Sequence, residues 1–121
     1  MTIKVGINGF GRMGRLVFRA AWHWPDIEFI HINDPAGDAP MLAHLVNFDS
    51  VHGIWSENAQ AKDSLICIAD KEITVTQNTQ ISDTDWSVCD LVIEASGKMK
   101  TKALLDDYLK QGVKRVVVTA P

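Results

Sequence analysis

A chain of 121 residues, 46% hydrophobic and 22% charged, is expected to form one domain around a single core. Its formal net charge of −3, with no block of like charge, excludes an electrostatic grip on nucleic acid and a polybasic anchor on a membrane. No apolar run approaches the roughly 18 residues of a membrane span or makes a signal peptide, and Cys67 and Cys89 have neither pairing nor metal spacing, which suits a reducing cytoplasm.

The first predicted element is a short buried strand over Ile3-Lys4-Val5-Gly6-Ile7. Three glycines follow, Gly9, Gly11 and Gly14, spaced G-x-G-x-x-G. Met13, Leu16, Val17, Ala20 and Ala21 then recur at helical spacing and are expected to form the apolar face of a helix, which Trp24-Pro25-Asp26 stops. Glu28 to Asn33 resumes a period of two and ends at Asp34. A second helix is predicted over Pro40 to Val46, capped by Asp38, with Met41, Leu42, Leu45 and Val46 as its apolar side. "SLICIA" and "EITVT" read as a β-hairpin turning at Asp70-Lys71, and residues 77–85 as a polar loop. Leu91-Val92-Ile93 is a buried strand entering a turn at Ala95-Ser96-Gly97. A helix from about Thr101, with Ala103, Leu104, Tyr108 and Leu109 inward, ends at Gly112. Arg115 to Thr119 is an unbroken apolar strand, the pattern of a parallel sheet covered on both faces. The fold class is therefore α/β: a Rossmann-type, doubly wound, mostly parallel sheet with right-handed crossovers and an inserted β-hairpin.

Three glycines alone are a weak signal, but here they sit between a strand and a helix. In that context Gly9 allows the tight turn, Gly11 lets backbone approach a pyrophosphate, and Gly14 lets the helix pack closely. The helix start near Arg12 offers unpaired N–H groups and a positive dipole end to the same anion. Asp34, twenty residues past Gly14 at the tip of the second strand, can accept both hydroxyls of an adenosine ribose and would repel a 2′-phosphate. The sequence thus points to a dinucleotide, NAD rather than NADP. The bland reading is a packing turn followed by an ordinary turn aspartate.

Ser96-Gly97 and Thr119-Ala120 fall at the carboxyl ends of predicted parallel strands, where ligands bind in such sheets and where turn chemistry alone also places them. Cys67 and Cys89 read as core or near-surface thiols. His23, His31, His44 and His52 lack metal spacing, and His52 in the Asp-Ser-Val-His-Gly loop reads as a turn residue before a base.

Four segments in order carry a family resemblance. "KVGINGFGRMGR" closely resembles the N-terminal signature of glyceraldehyde-3-phosphate dehydrogenase. "LVNFDSVHG" is similar to that family's Leu-Lys-Tyr-Asp-Ser-x-His-Gly segment, "DLVIEASGKM" to its strand leading into Ser-Thr-Gly, and "KRVVVTAP" to its strand ending in Ser-Ala-Pro. The resemblance implies that Asn8, Gly9, Phe10, Gly11, Arg12, Met13 and Gly14 surround the cofactor, the Arg12 and Met13 backbone meeting the pyrophosphate. It implies Asp34 on the adenosine ribose, Ser96 and Gly97 on the adenine and pyrophosphate side, and Thr119 near the nicotinamide ribose. It further implies a cytoplasmic glycolytic homotetramer as parent, acting on glyceraldehyde 3-phosphate.

Departures from the family pattern are also visible. Asn78-Thr79-Gln80-Ile81 stands where Glu-Arg-Asp-Pro is usual, and Met99 replaces an aromatic. "AAWHWPDIEFIHIN" and "FDSVHGIW" resemble a subgroup encoded beside arsenate-efflux genes, which implies arsenate as a possible stand-in for phosphate. The family's nucleophilic cysteine and general-base histidine lie beyond its Ser-Ala-Pro strand. Residues 1–121 are accordingly expected to be a dinucleotide-binding domain without catalytic residues, inactive alone. A stand-alone dinucleotide-binding module or redox sensor, or another dehydrogenase sharing the opening fold, are the alternatives.

Overall fold

The computed structural model describes residues 2–49, 53–98 and 102–119. Strand β1 (Ile3–Asn8) pairs in parallel with β2 (Ile27–Asn33) on one side and with β8 (Leu91–Glu94) on the other. Beyond β2 come β7 (Lys71–Thr76), parallel to it, then β6 (Leu65–Ile68) and β5 (Gln60–Lys62), both antiparallel to their neighbours. Beyond β8 lies β9 (Arg115–Val118), again parallel. The sheet order is β5-β6-β7-β2-β1-β8-β9, with a separate two-stranded piece made by β3 (Phe48–Asp49) and β4 (Gly53–Ile54). The chain leaves β1 toward β2 and returns on the opposite side as β8, so the strand order reverses beside β1.

Helices α1 (Arg12–Ala21) and α2 (Ala39–Asn47) are associated with one face of the sheet, and α3 (Lys102–Lys110) with the other. The first face gathers Val5, Ile7, Phe29, Ile32 and Ile93 with Phe18 and Leu42. The second gathers Trp86, Cys89, Val92, Tyr108 and Val113. Alternating residues of the same strands serve the two cores, as the strand period requires.

Several expectations need correction. The buried stripe of α1 is Gly14, Phe18 and Ala21, whereas Met13, Leu16 and Ala20 are exposed. Phe18, fully buried, meets Phe29, Trp22, Phe10 and Trp55 with ring centroids 4.9 to 5.7 Å apart, and this cluster sets the rotation of the helix. On α2, capped by Asp38 as expected (Met41 N–H to Oδ1, 3.1 Å), Met41 points outward while Leu42, Ala43 and Val46 are buried. On α3 Leu109 is half exposed and Tyr108 carries the contact. Among the described residues β9 is the last strand of the sheet, and Val117 and Val118 are exposed there. Beside it, Val5, Val17, Ala20, Ile93 and Val117 line an apolar groove of about 380 Å³. The hairpin turns one residue earlier than expected, at Ala69-Asp70, where Ala69 takes φ 55°. Strand β5 and the β3–β4 pair had no sequence signal beyond short polar alternation. His52, Met99, the Thr101 helix start and Ala120 lie outside the described residues.

Candidate functional site

All the strands that run parallel end at one level. Register pairs Thr76 with Asn33, Asn33 with Asn8, Asn8 with Glu94, and Glu94 with Val118. Ligands of open α/β sheets bind just beyond such an edge, at the point where strand order reverses. Here that point lies between β1 and β8.

The glycine turn leaves β1 at that edge. Gly9 takes φ +95°, and a Cβ on it would lie 2.5 Å from the Ser96 backbone nitrogen, so the turns after β1 and β8 touch through this residue. Only glycine fits both demands. Gly14 has no room either, since a Cβ there would stand 2.3 Å from the Gly9 carbonyl oxygen. Gly11 differs: nothing lies within 4 Å of its missing Cβ. Gly11 is also the N-cap of α1, so the helix starts without any side-chain cap. The first N–H groups of a helix have no partner inside it, and here they lie beside the open Cβ position of Gly11 at the positive end of the dipole. The contrast with α2, closed by Asp38, is plain.

Asp34 is half-buried at the end of β2. One carboxylate oxygen accepts the Phe10 N–H and the other the Ala36 N–H, each at 2.8 Å. These bonds aim the carboxylate along the rim of the glycine turn, and each oxygen keeps a further lone pair for a ligand hydroxyl. The brace between Asp34 and Phe10, across 24 positions, was not foreseen.

The remaining expected residues divide. Arg12, Met13 and Gly97 are exposed around the turns, Ser96 is half-buried, and Thr119 continues past β9 with its N–H on the Glu94 carbonyl at 3.0 Å. Phe10 is buried, its ring in the core and its carbonyl bonded to Arg15, so its side chain is turned from the cleft. Asn8 is buried too, and its side chain is spent internally. The expected set is therefore brought to one edge, with Asn8 and Phe10 beneath the surface and not on it.

Sequence reasoning missed the layer under the edge. Asn8 Nδ2 donates to Glu94 Oε1 at 2.7 Å and to the Tyr108 hydroxyl at 2.8 Å, while its Oδ1 accepts from Asn33 Nδ2 at 2.8 Å. Tyr108 donates to Glu94 Oε1 at 2.6 Å, and Ser96 N–H and Oγ–H donate to Glu94 Oε2 at 2.9 and 2.5 Å. On the other side the Thr76 hydroxyl and Asn78 N–H donate to Asn33 Oδ1 at 2.7 and 2.9 Å. Because Thr76 spends its proton on Asn33, His31 Nε2, 2.8 Å away, is the donor to Thr76. Burial lowers the His31 pKa, partly opposed by Asp85. Burial and Glu94 together raise that of Tyr108. The available signal was a polar residue closing each apolar strand: Asn8, Asn33, Thr76, Glu94. Burial, with smaller effects from Asp90 and Asp85, pushes the Cys89 thiol up to about 12, which fits an inert core thiol.

A mostly parallel sheet, wound on both faces, with an uncapped glycine-led helix at its reversal point defines a Rossmann-type nucleotide-binding domain. Residues 3–102 match the family described as "Glyceraldehyde 3-phosphate dehydrogenase, NAD binding domain", and the chain belongs to that family. It is similar to glyceraldehyde-3-phosphate dehydrogenase 3 of Nostoc sp., 48% identical over an alignment of 123 residues that takes in all of this chain and 36% of that protein. Glyceraldehyde-3-phosphate dehydrogenase A of Escherichia coli is 42% identical and the Haemophilus influenzae enzyme 39%, again over the whole of this chain and 37% and 36% of theirs. The chain thus spans little more than a third of the length of these relatives. Its cofactor is NAD.

Proposed function

We propose that this chain forms the cofactor half of an NAD-dependent dehydrogenase acting on glyceraldehyde 3-phosphate. The observation that carries the reading is the open start of α1: Gly11 faces free space, no side chain caps the helix, and the Asp34 carboxylate stands on the rim. These groups fit a dinucleotide. Backbone of Gly11, Arg12 and Met13 would hold the pyrophosphate, Asp34 the adenosine ribose, the Ser96-Gly97 turn the flank of the cleft, and Thr119 its far end. NAD, when bound, accepts a hydride from the substrate aldehyde.

The relatives, all named as glyceraldehyde-3-phosphate dehydrogenases, support the substrate assignment. By the same likeness the whole protein acts as a cytoplasmic homotetramer, through a cysteine and histidine carried outside these residues. Phosphate is the acyl acceptor by family, arsenate by the subgroup likeness. Calorimetric titration of the protein at its natural length is the test. NAD binding, with NADP at least tenfold weaker, is the expected result. No heat of NAD binding from protein with an intact circular dichroism spectrum would overturn the site, and equal affinity for NADP would overturn the Asp34 role.

A further inference from the structure

The buried polar side chains under the sheet edge form a chain with one direction. Hydrogen-bond donation runs from His31 to Thr76, from Thr76 to Asn33, from Asn33 to Asn8, and from Asn8 to Glu94. Tyr108 and Ser96 donate to the same carboxylate from the other side. Glu94, only 1% exposed, receives four donors from three places: Asn8 on β1, Tyr108 on α3, and both the N–H and the hydroxyl of Ser96. The two oxygens of a carboxylate have the four lone-pair sites that these four donors require.

Two backbone N–H groups fix the direction, because neither can reverse. Asn78 N–H holds Asn33 Oδ1 at one end, and Ser96 N–H holds Glu94 Oε2 at the other. An amide in place of Glu94 would have to set its NH2 against one end. Facing Ser96, it meets the N–H there. Facing Asn8, it forces the Asn8 amide to turn over, then Asn33, until an NH2 meets Asn78 N–H. Either outcome disturbs a turn at the rim of the cleft, and the Ser96 end is in backbone contact with Gly9.

We propose that Glu94 is a positioning residue for the dinucleotide: its carboxylate sets the direction of the buried chain and so seats the Ser96 turn against the glycine turn. This rests on the reading of that cleft as the NAD site, and Glu94 touches no cofactor itself. The test compares Glu94→Gln with Tyr108→Phe in the protein at its natural length. Both keep the side-chain volume nearly unchanged and both remove bonds from the same cluster, but Tyr108→Phe leaves both Ser96 bonds in place.

Glu94→Gln is expected to weaken NAD binding by at least tenfold and Tyr108→Phe by less than twofold, at comparable losses in Tm. A purely structural cluster would make the two affinity losses track the two Tm losses. Wild-type NAD affinity in folded Glu94→Gln, or equal losses in the two variants, overturns the proposal. Should Glu94→Gln fail to fold, the wild type decides by the 15N spectrum. Saturation with NAD should shift the side-chain amide signals of Asn8 and Asn33, which are buried away from the ligand, and unchanged signals would overturn the idea. Wild-type protein that binds no NAD would instead overturn the reading of the cleft.

Discussion

The three glycines of the turn should separate, on substitution by alanine, into two that break the fold and one that breaks only binding. At Gly14 the added Cβ would lie 2.3 Å from the Gly9 carbonyl oxygen, against a floor near 3.0 Å for real Cβ contacts. The obstructing atom is backbone, so the helix start must move. Overpacking of that kind costs about 1–3 kcal/mol, and the better helix propensity of alanine returns at most about 1 kcal/mol. Gly9→Ala adds left-handed strain at φ +95° to a 2.5 Å clash with the Ser96 nitrogen, and should be worse. Gly11→Ala meets nothing within 4 Å and keeps an ordinary φ of −76°. Its lower chain entropy when unfolded offsets the weaker N-cap, so stability should stay within about 0.5 kcal/mol. Its methyl group, however, stands where a pyrophosphate must approach. NAD affinity should fall at least tenfold, about 1.4 kcal/mol. Thermal melts and calorimetric titration on the three variants are the assay. If Gly11→Ala melted as early as Gly14→Ala, or bound NAD like the wild type, the division of labour derived for the turn would be wrong.

Asp34→Asn should fold nearly as well as the wild type, because its carbonyl can keep the buried Phe10 N–H while Ala36 N–H turns to water. The same change should narrow the preference for NAD over NADP by an order of magnitude or more in paired titrations, since a charge pair at 4 Å near a surface is worth about 4 kcal/mol before screening. Phe18→Ala should cost about 3–5 kcal/mol in urea denaturation, as a fully buried ring with four aromatic neighbours is lost. His31 is held below its usual pKa of 6.5, so the folded state binds fewer protons than the unfolded chain. Its contribution to stability is full above pH 6.5 and is lost as pH falls toward the folded value, at no more than about 1.4 kcal/mol per pH unit. Urea midpoints at pH 7.5 and 5.5 should therefore diverge more in the wild type than in His31→Asn, and parallel shifts would assign the pH response to other groups.

What could be read from the sequence was what is local. Strand, glycine turn, helix and second strand lie within the first thirty-odd residues, and Asp34 takes its place from spacing along the chain. The Asp38 cap and the hairpin are similarly short-range. The face of α1 was misjudged because Met13 and Leu16 fit the helical period as well as Phe18 does, and only the ring cluster with Phe29 and Trp55 decides between them. The apolar run of β9 pointed to a parallel strand, and its register with β8 agrees. Of the site, the rim was legible and the layer below was not. Glu94 looks like the polar end of a strand until Asn8, Ser96 and Tyr108 are brought to it, and the Asn8 contact spans 86 positions.

That span bears on the order in which the domain comes together during synthesis. Strand β1 finds β2 early, and β7 joins β2 once residue 76 has been made. The opposite edge of β1 waits for β8, and the Asn8 amide waits longer still for Tyr108 on α3, 100 positions along the chain. Until β8 has been made the nascent domain therefore carries β1 with one edge unpaired, a template for association with other chains. The cleft cannot shelter it, because the wall that β8 supplies is the same wall that is missing. Ligand can reward this fold only once the growing chain has passed Tyr108.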